Sequence, residues 1–146
     1  MNQSQTVLLV DDSDDDLFLM RMGFKKVEFR APVQEVRNGE EAIRYLAGEG
    51  AYANRLQFPY PTVVLLDLNM PLKSGFDVLA WIKAHALLKP CSVIVLSASN
   101  RPEDIQRAFQ LGANSYLVKP RTLEDLVAVI RCMLQWISYN HFPPLD

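Results

Sequence analysis

Three carboxylates, a hydroxyl and an ammonium each stand directly after a short apolar run in this chain. Asp11 and Asp12 follow TVLLV, Asp67 follows TVVLL, Ser97 follows SVIVL, and Lys119 follows NSYLV. A carboxylate at the end of such a run is costly if buried without a partner, so Asp67 requires cationic company. Asp11 and Asp12 would repel it unless a cation sat among the three. Hard oxygen donors of this kind select Mg²⁺ or Mn²⁺ at an open octahedral site. Such a metal keeps the carboxylates ionised and can carry a phosphoryl group. Lys119 adds a second positive charge suited to a phosphate oxygen. An isolated aspartate after a strand is more often a turn or N-cap residue; the company of Asp11, Asp12 and Lys119 reverses that weighting.

The elements that must position these groups follow from the pattern. Short Val/Leu/Ile-rich runs alternating with longer amphipathic segments read as buried parallel strands separated by helices. The strands fall at about Thr6–Val10, Val33–Val36, Thr62–Leu66, Ser92–Leu96 and Ser115–Val118. Helices are expected over about Asp14–Lys26, Asn38–Ala47, Phe76–Ala86, Pro102–Leu111 and Thr122–Ser138. Asn38 with Glu41, and Thr122 with Asp125, have capping-box spacing. Pro102 suits a first helical turn and Gly112 a C′ position. Right-handed crossovers then give an α/β fold: a doubly wound, five-stranded parallel sheet in the order 2-1-3-4-5 with helices on both faces. Ligand sites in such sheets lie beyond the carboxyl ends of the strands, where the five groups stand. The second strand ends without comparable chemistry, as expected of an edge. The stretch GEGAYANRLQFPYP is long for a connection, and Tyr52, Phe58 and Tyr60 predict a loop packed on the body.

At 146 residues the chain suits one domain, with a core over about 5–138 and a tail over 139–146; no output domain is expected. A net charge of −2 argues against nucleic acid or an anionic membrane as the main partner. Apolar runs are short and no leader is visible, so the expected location is cytoplasmic. Cys91 and Cys132 lack metal or redox spacing and read as buried free thiols in a reducing compartment. The run DDSDDD fails as a Ca²⁺ loop, because the required glycine falls on Leu17 and the terminal glutamate on Gly23. Asp14, Asp15 and Asp16 read as first-turn acids complementing a helix dipole, or as a solvated face. His85 and His141 have no ligand spacing.

Together these residues resemble the receiver domain of two-component response regulators, over nearly the whole chain. The carrying features are Asp11-Asp12, the segment Asp67-Leu68-Asn69-Met70-Pro71 with Gly75, Ser97-Ala98, and Lys119-Pro120. The resemblance implies a flavodoxin-like fold and a stand-alone regulator phosphorylated on Asp67 by a sensor histidine kinase. It implies Mg²⁺ (or Mn²⁺) held by Asp12, Asp67 and the Asn69 carbonyl, with Asp11 acting largely through water. Lys119 and Ser97 would contact the phosphoryl group, and Tyr116 would be the switch partner of Ser97. Lys119-Pro120 would carry a cis peptide, and Asn69 and Ser99 occupy positions that influence acyl-phosphate hydrolysis. The aromatic loop and the tail WISYNHFPPLD are similar to the small regulators paired with bacterial phytochrome-type kinases.

Output is then expected through protein contacts. Leu123, Leu126, Ile130, Met133 and Ile137 fill one face of the last helix, while Val129, Cys132 and Trp136 form a second apolar stripe. That stripe suggests a homodimer, with cover by HFPPLD as the competing reading. Phe18 and Met22 match where the family docks its kinase, with packing under neighbouring loops as the competing reading. An electron carrier of flavodoxin type is disfavoured, because carboxylates replace the phosphate loop. A phosphatase is disfavoured by Asn69 where a second acid is needed. A phosphorylation-independent binding module is disfavoured because every site position is filled.

Overall fold

The computed structural model describes residues 5–141. In chain order the elements are β1 (Val7–Val10), α1 (Asp14–Lys26), β2 (Val33–Val36), α2 (Gly39–Ala47) and a short 3₁₀ turn (Gly50–Ala53). There follow β3 (Val63–Leu66), α3 (Gly75–Ala84), β4 (Ser92–Ser97), α4 (Pro102–Gln110), β5 (Ser115–Val118) and α5 (Leu123–Tyr139). The five strands are parallel and ordered β2-β1-β3-β4-β5, as expected.

Strands β1, β3 and β4 are buried throughout, which is why their sequences are continuously apolar. Alternate residues serve two cores. Leu8, Val10, Val64, Leu66, Val93 and Val95 face one layer with α2 and α3, around Tyr45, Phe76 and Leu79. Val7, Leu9, Val63, Leu65, Ile94 and Leu96 face the other, packed with Leu17, Met20, Ile130 and Ile137 of α1 and α5. Those two helices approach closely at Gly23, where an added Cβ would lie 2.4 Å from Ile130 Cδ1.

Local signals fix most boundaries. Ser13, Asn38, Ser74 and Thr122 each accept a backbone N–H at the start of a helix. Glu41 departs from the expected box: its carboxylate accepts the Arg37 N–H at 2.8 Å, one residue before Asn38. Helix α3 stops at Ala84, two residues early. The His85 ring stacks on Trp81 with centroids 3.8 Å apart, and its Nδ1 lies 2.7 Å from the Trp81 carbonyl. The side chain thereby occupies a terminal carbonyl in place of another backbone turn.

The aromatic loop packs on the body, as predicted. Tyr45, Tyr52 and Phe58 contact one another with ring centroids 5.0–5.9 Å apart. Arg55 donates to the Tyr45, Leu46 and Phe58 carbonyls, closing the C-terminus of α2. The tail beyond His141 lies outside the described residues, and with it the question of whether it covers α5.

Candidate functional site

Backbone ladders carry each reactive residue to one edge of the sheet. The Asp11 N–H donates to the Val36 carbonyl at 3.2 Å, that of Asp67 to Val10 at 2.9 Å, and that of Lys119 to Ser97 at 2.7 Å. The loop after Asp67 folds back tightly, with the Gly75 N–H on the Leu68 carbonyl at 3.0 Å. A Cβ on Gly75 would lie 2.1 Å from the Asp67 carbonyl oxygen, so only glycine admits this approach. Leu72 in the same loop has φ of 67°, a left-handed conformation that costs a side-chain-bearing residue about 1–2 kcal/mol.

Asp11 and Asp67 are buried, Asp12 is exposed, and carboxylate oxygens of all three lie within 4.8 Å of one another. Lys119 Nζ sits 2.7 Å from Asp11 Oδ2, 2.7 Å from Asp16 Oδ2 and 3.7 Å from Asp67 Oδ2. Asp11 also accepts the Ser13 N–H at 2.9 Å. Burial pushes the Asp67 carboxyl up to about 6, and Asp11 and Asp12 push the same way. Lys119 and the Asn69 N–H oppose them. Burial likewise raises Asp11, against the pull of Lys119 and the Ser13 N–H. Burial alone would lower the Lys119 ammonium, but its bonds to Asp11 and Asp16 outweigh that and raise it. Three carboxylates share one ammonium here, and Asp12 adds a fourth negative charge beside Asp11 and Asp67. The donor set therefore fits a hard divalent cation, which would supply the missing positive charge.

Ser97 is fully buried and its Oγ accepts the Ser99 N–H at 3.2 Å. Ser99 is a junction: its carbonyl accepts the Tyr116 hydroxyl at 2.8 Å, and its Oγ donates to Asp104 of α4 at 2.5 Å. The half-buried Tyr116 ring packs on the core shared with α3 and α4. A bonded path thus runs from the site to α4 and β5.

Three sequence expectations change. No peptide among the described residues is cis, so Lys119–Pro120 is trans. Trans is the intrinsic preference of an X–Pro bond, by about 0.5–1 kcal/mol. Asp16, read as a helix-dipole acid, is instead a direct partner of Lys119. Nothing in the spacing singles it out from Asp14 and Asp15 in the same first turn. Asp14 pairs with Arg37 at 2.8 Å. Phe18 on α1 is exposed and Met22 half-buried. Cys91 is buried, as expected, but Cys132 is exposed: with Val129 and Trp136 it lines one wall of a groove of about 500 Å³ against Ile94, Ser115 and Leu117.

A buried aspartate at the end of the central strand, flanked by two acids, a lysine and a serine from neighbouring strands, defines a class. The chain belongs to the response regulator receiver domain family, whose family model matches residues 7–131. It is 36% identical over 130 residues to the response regulator Rcp1 of Synechocystis sp., covering 89% of this chain and 86% of Rcp1. A probable methanogenesis regulatory protein of Methanothrix harundinacea, FilR2, is 33% identical over 138 residues, 94% of this chain and 86% of that protein. Among solved structures, the phosphorylated cyanobacterial phytochrome response regulator RcpA superposes with a TM-score of 0.89. It is 35% identical and covers 97% of this chain and 100% of its own. The Mn²⁺-bound form of Rcp1 superposes at 0.86, with 34% identity over 96% of this chain and 99% of its own. No helix among the described residues is long and apolar enough to cross a membrane.

Proposed function

We propose that this chain accepts a phosphoryl group from a sensor histidine kinase onto Asp67 and signals through the conformational change that follows. The observation that carries this reading is the placement of Asp67: buried, within 4.8 Å of Asp11 and Asp12, and 3.7 Å from Lys119. One Asp67 oxygen attacks the phosphorus of a phosphohistidine; the P–N bond breaks and the imidazole leaves. Lys119 neutralises charge on the transferring group, and the rigid strand ends hold the nucleophile in line. Asp12, Asp67 and the Asn69 carbonyl would hold Mg²⁺ or Mn²⁺, with Asp11 acting through water. When bound, the metal offsets the negative charge of an in-line phosphoryl transfer. The protein turns over no small molecule in this reading and catalyses only its own phosphorylation and dephosphorylation.

The acyl phosphate then competes for the Ser97 hydroxyl, which releases the Ser99 N–H and loosens the Tyr116–Ser99–Asp104 junction. The likeness to RcpA supports a phytochrome-type kinase as donor, with exposed Phe18 and its neighbour Met22 as the docking face, in the cytoplasm. Output goes to a protein and not to DNA. A homodimer forms through the α5 stripe of Val129, Cys132 and Trp136; sedimentation should show Trp136→Glu as a monomer where wild type associates, and identical profiles would remove the dimer.

The central test is phosphotransfer from a phosphorylated phytochrome-type kinase, with and without Mg²⁺, to wild type and Asp67→Asn. Wild type should be labelled only with metal present and the variant not at all. Equal labelling of both would exclude Asp67 as acceptor.

A further inference from the structure

We propose that Asp16 is a positioning residue that holds Lys119 off the phosphoacceptor in the resting protein and competes with an incoming phosphoryl oxygen for its ammonium. This rests on the phosphoacceptor role of Asp67. The observation behind it is the asymmetry of the Lys119 contacts. Nζ lies 2.7 Å from both Asp11 and Asp16 but 3.7 Å from Asp67. Asp11 belongs to the deep site, buried and tied to the Ser13 N–H. Asp16 does not: its side chain is 37% exposed and stands on the first turn of α1. Its backbone is fixed there by Ser13 Oγ, which accepts the Asp16 N–H at 3.2 Å. Asp16, Lys119 and Pro120 line a crevice of about 20 Å³ with Leu19, Met20 and Leu126. The carboxylate therefore draws the ammonium toward the crevice beside α1.

Charge makes the contact consequential. Asp16 adds a negative charge beside the trio of Asp11, Asp12 and Asp67, of which it is no member. It thus repels an anion at Asp67 without offering the metal a ligand. A phosphoryl oxygen gains the Lys119 charge only by displacing the Asp16 contact, so Asp16 raises the threshold for activation. Removing its charge while keeping its shape leaves the metal ligands in place and leaves the ammonium to Asp11 and Asp67.

The test is calorimetric titration of the full chain with Mg²⁺, then with beryllofluoride at saturating Mg²⁺, for wild type, Asp16→Asn and Asp16→Glu. Asp16→Asn should bind beryllofluoride roughly three- to fivefold more tightly, the scale of one partly exposed ion pair. Its Mg²⁺ affinity should change less than about twofold by the same reasoning, and Asp16→Glu should return toward wild type. Ser13 still caps a backbone N–H in the asparagine variant, so α1 is preserved; Asp16→Ser carries the same expectation should Asp16→Asn misfold. Unchanged or weaker beryllofluoride binding in the charge-free variants overturns the inference alone. A more than tenfold loss of Mg²⁺ affinity in Asp16→Asn overturns it by making Asp16 a metal ligand. Absence of beryllofluoride binding in wild type removes the phosphoacceptor reading and the inference with it.

Discussion

Arg55 and Lys119 are both cations enclosed by hydrogen-bond acceptors, and they do opposite things. Arg55 donates to three backbone carbonyls at 2.9–3.2 Å and lies over the Tyr60 ring at 4.0 Å. Its partners are neutral and the contacts complete an α2 terminus that would otherwise be unsatisfied. Lys119 faces three carboxylates within 3.7 Å, with Asp12 close behind. One cation finishes a piece of fold. The other is outnumbered and leaves its surroundings short of positive charge. A cation placed against carbonyls stabilises the resting protein, whereas one placed among crowded acids leaves them with unbalanced negative charge.

The larger effect is expected at the aromatic loop. Tyr45 is 1% exposed, contacts Tyr52 and Phe58, and donates its hydroxyl to the Pro59 carbonyl at 2.8 Å. Tyr45→Ala should lower the unfolding free energy by about 3–5 kcal/mol in denaturant titration. A loss under about 1 kcal/mol would mean that the loop adds little to the fold.

A smaller effect of opposite sign is expected at the acidic edge. The Asp67 carboxyl is held at about 6 against an ordinary 3.8, so the folded chain binds a proton more tightly there than the unfolded chain. Its contribution is therefore full below about pH 4, falls as pH rises toward 6, and is a net cost at neutral pH. Asp67→Asn should stabilise the metal-free protein at pH 7 by at most roughly 3 kcal/mol and flatten the loss of stability between pH 4 and 6. Saturating Mg²⁺ should narrow the gap by stabilising wild type. A variant less stable than wild type without metal would show that Lys119 already balances the site.

Several features were legible because they are local. Strand ends follow from apolar runs, and the Asn38 and Thr122 caps follow from their spacing, whereas the Ser13 and Ser74 caps emerge only in the structure. The partners of Asp16 and Arg55 were not legible. Three acids in a first turn look alike in sequence, and only the arrival of Lys119 from β5 distinguishes Asp16 from Asp14 and Asp15. Arg55 reaches carbonyls nine and ten residues away because the loop turns back on α2. The link from Ser97 through Ser99 to Asp104 and Tyr116 depends on how the β4–α4 loop folds over β5, which spacing does not encode.

The amino-acid order by itself determined the alternation of elements, the strand order and the residues delivered to the carboxyl edge. Periodicity, chirality and capping act over a few residues and leave few topologies open. Tertiary structure alone decided how charge is shared at that edge: which acids are buried, that Asp67 is lifted to about 6, and that Lys119 rests between Asp11 and Asp16. Such energies depend on distances of a few ångströms between side chains far apart in sequence, and on the water excluded around them.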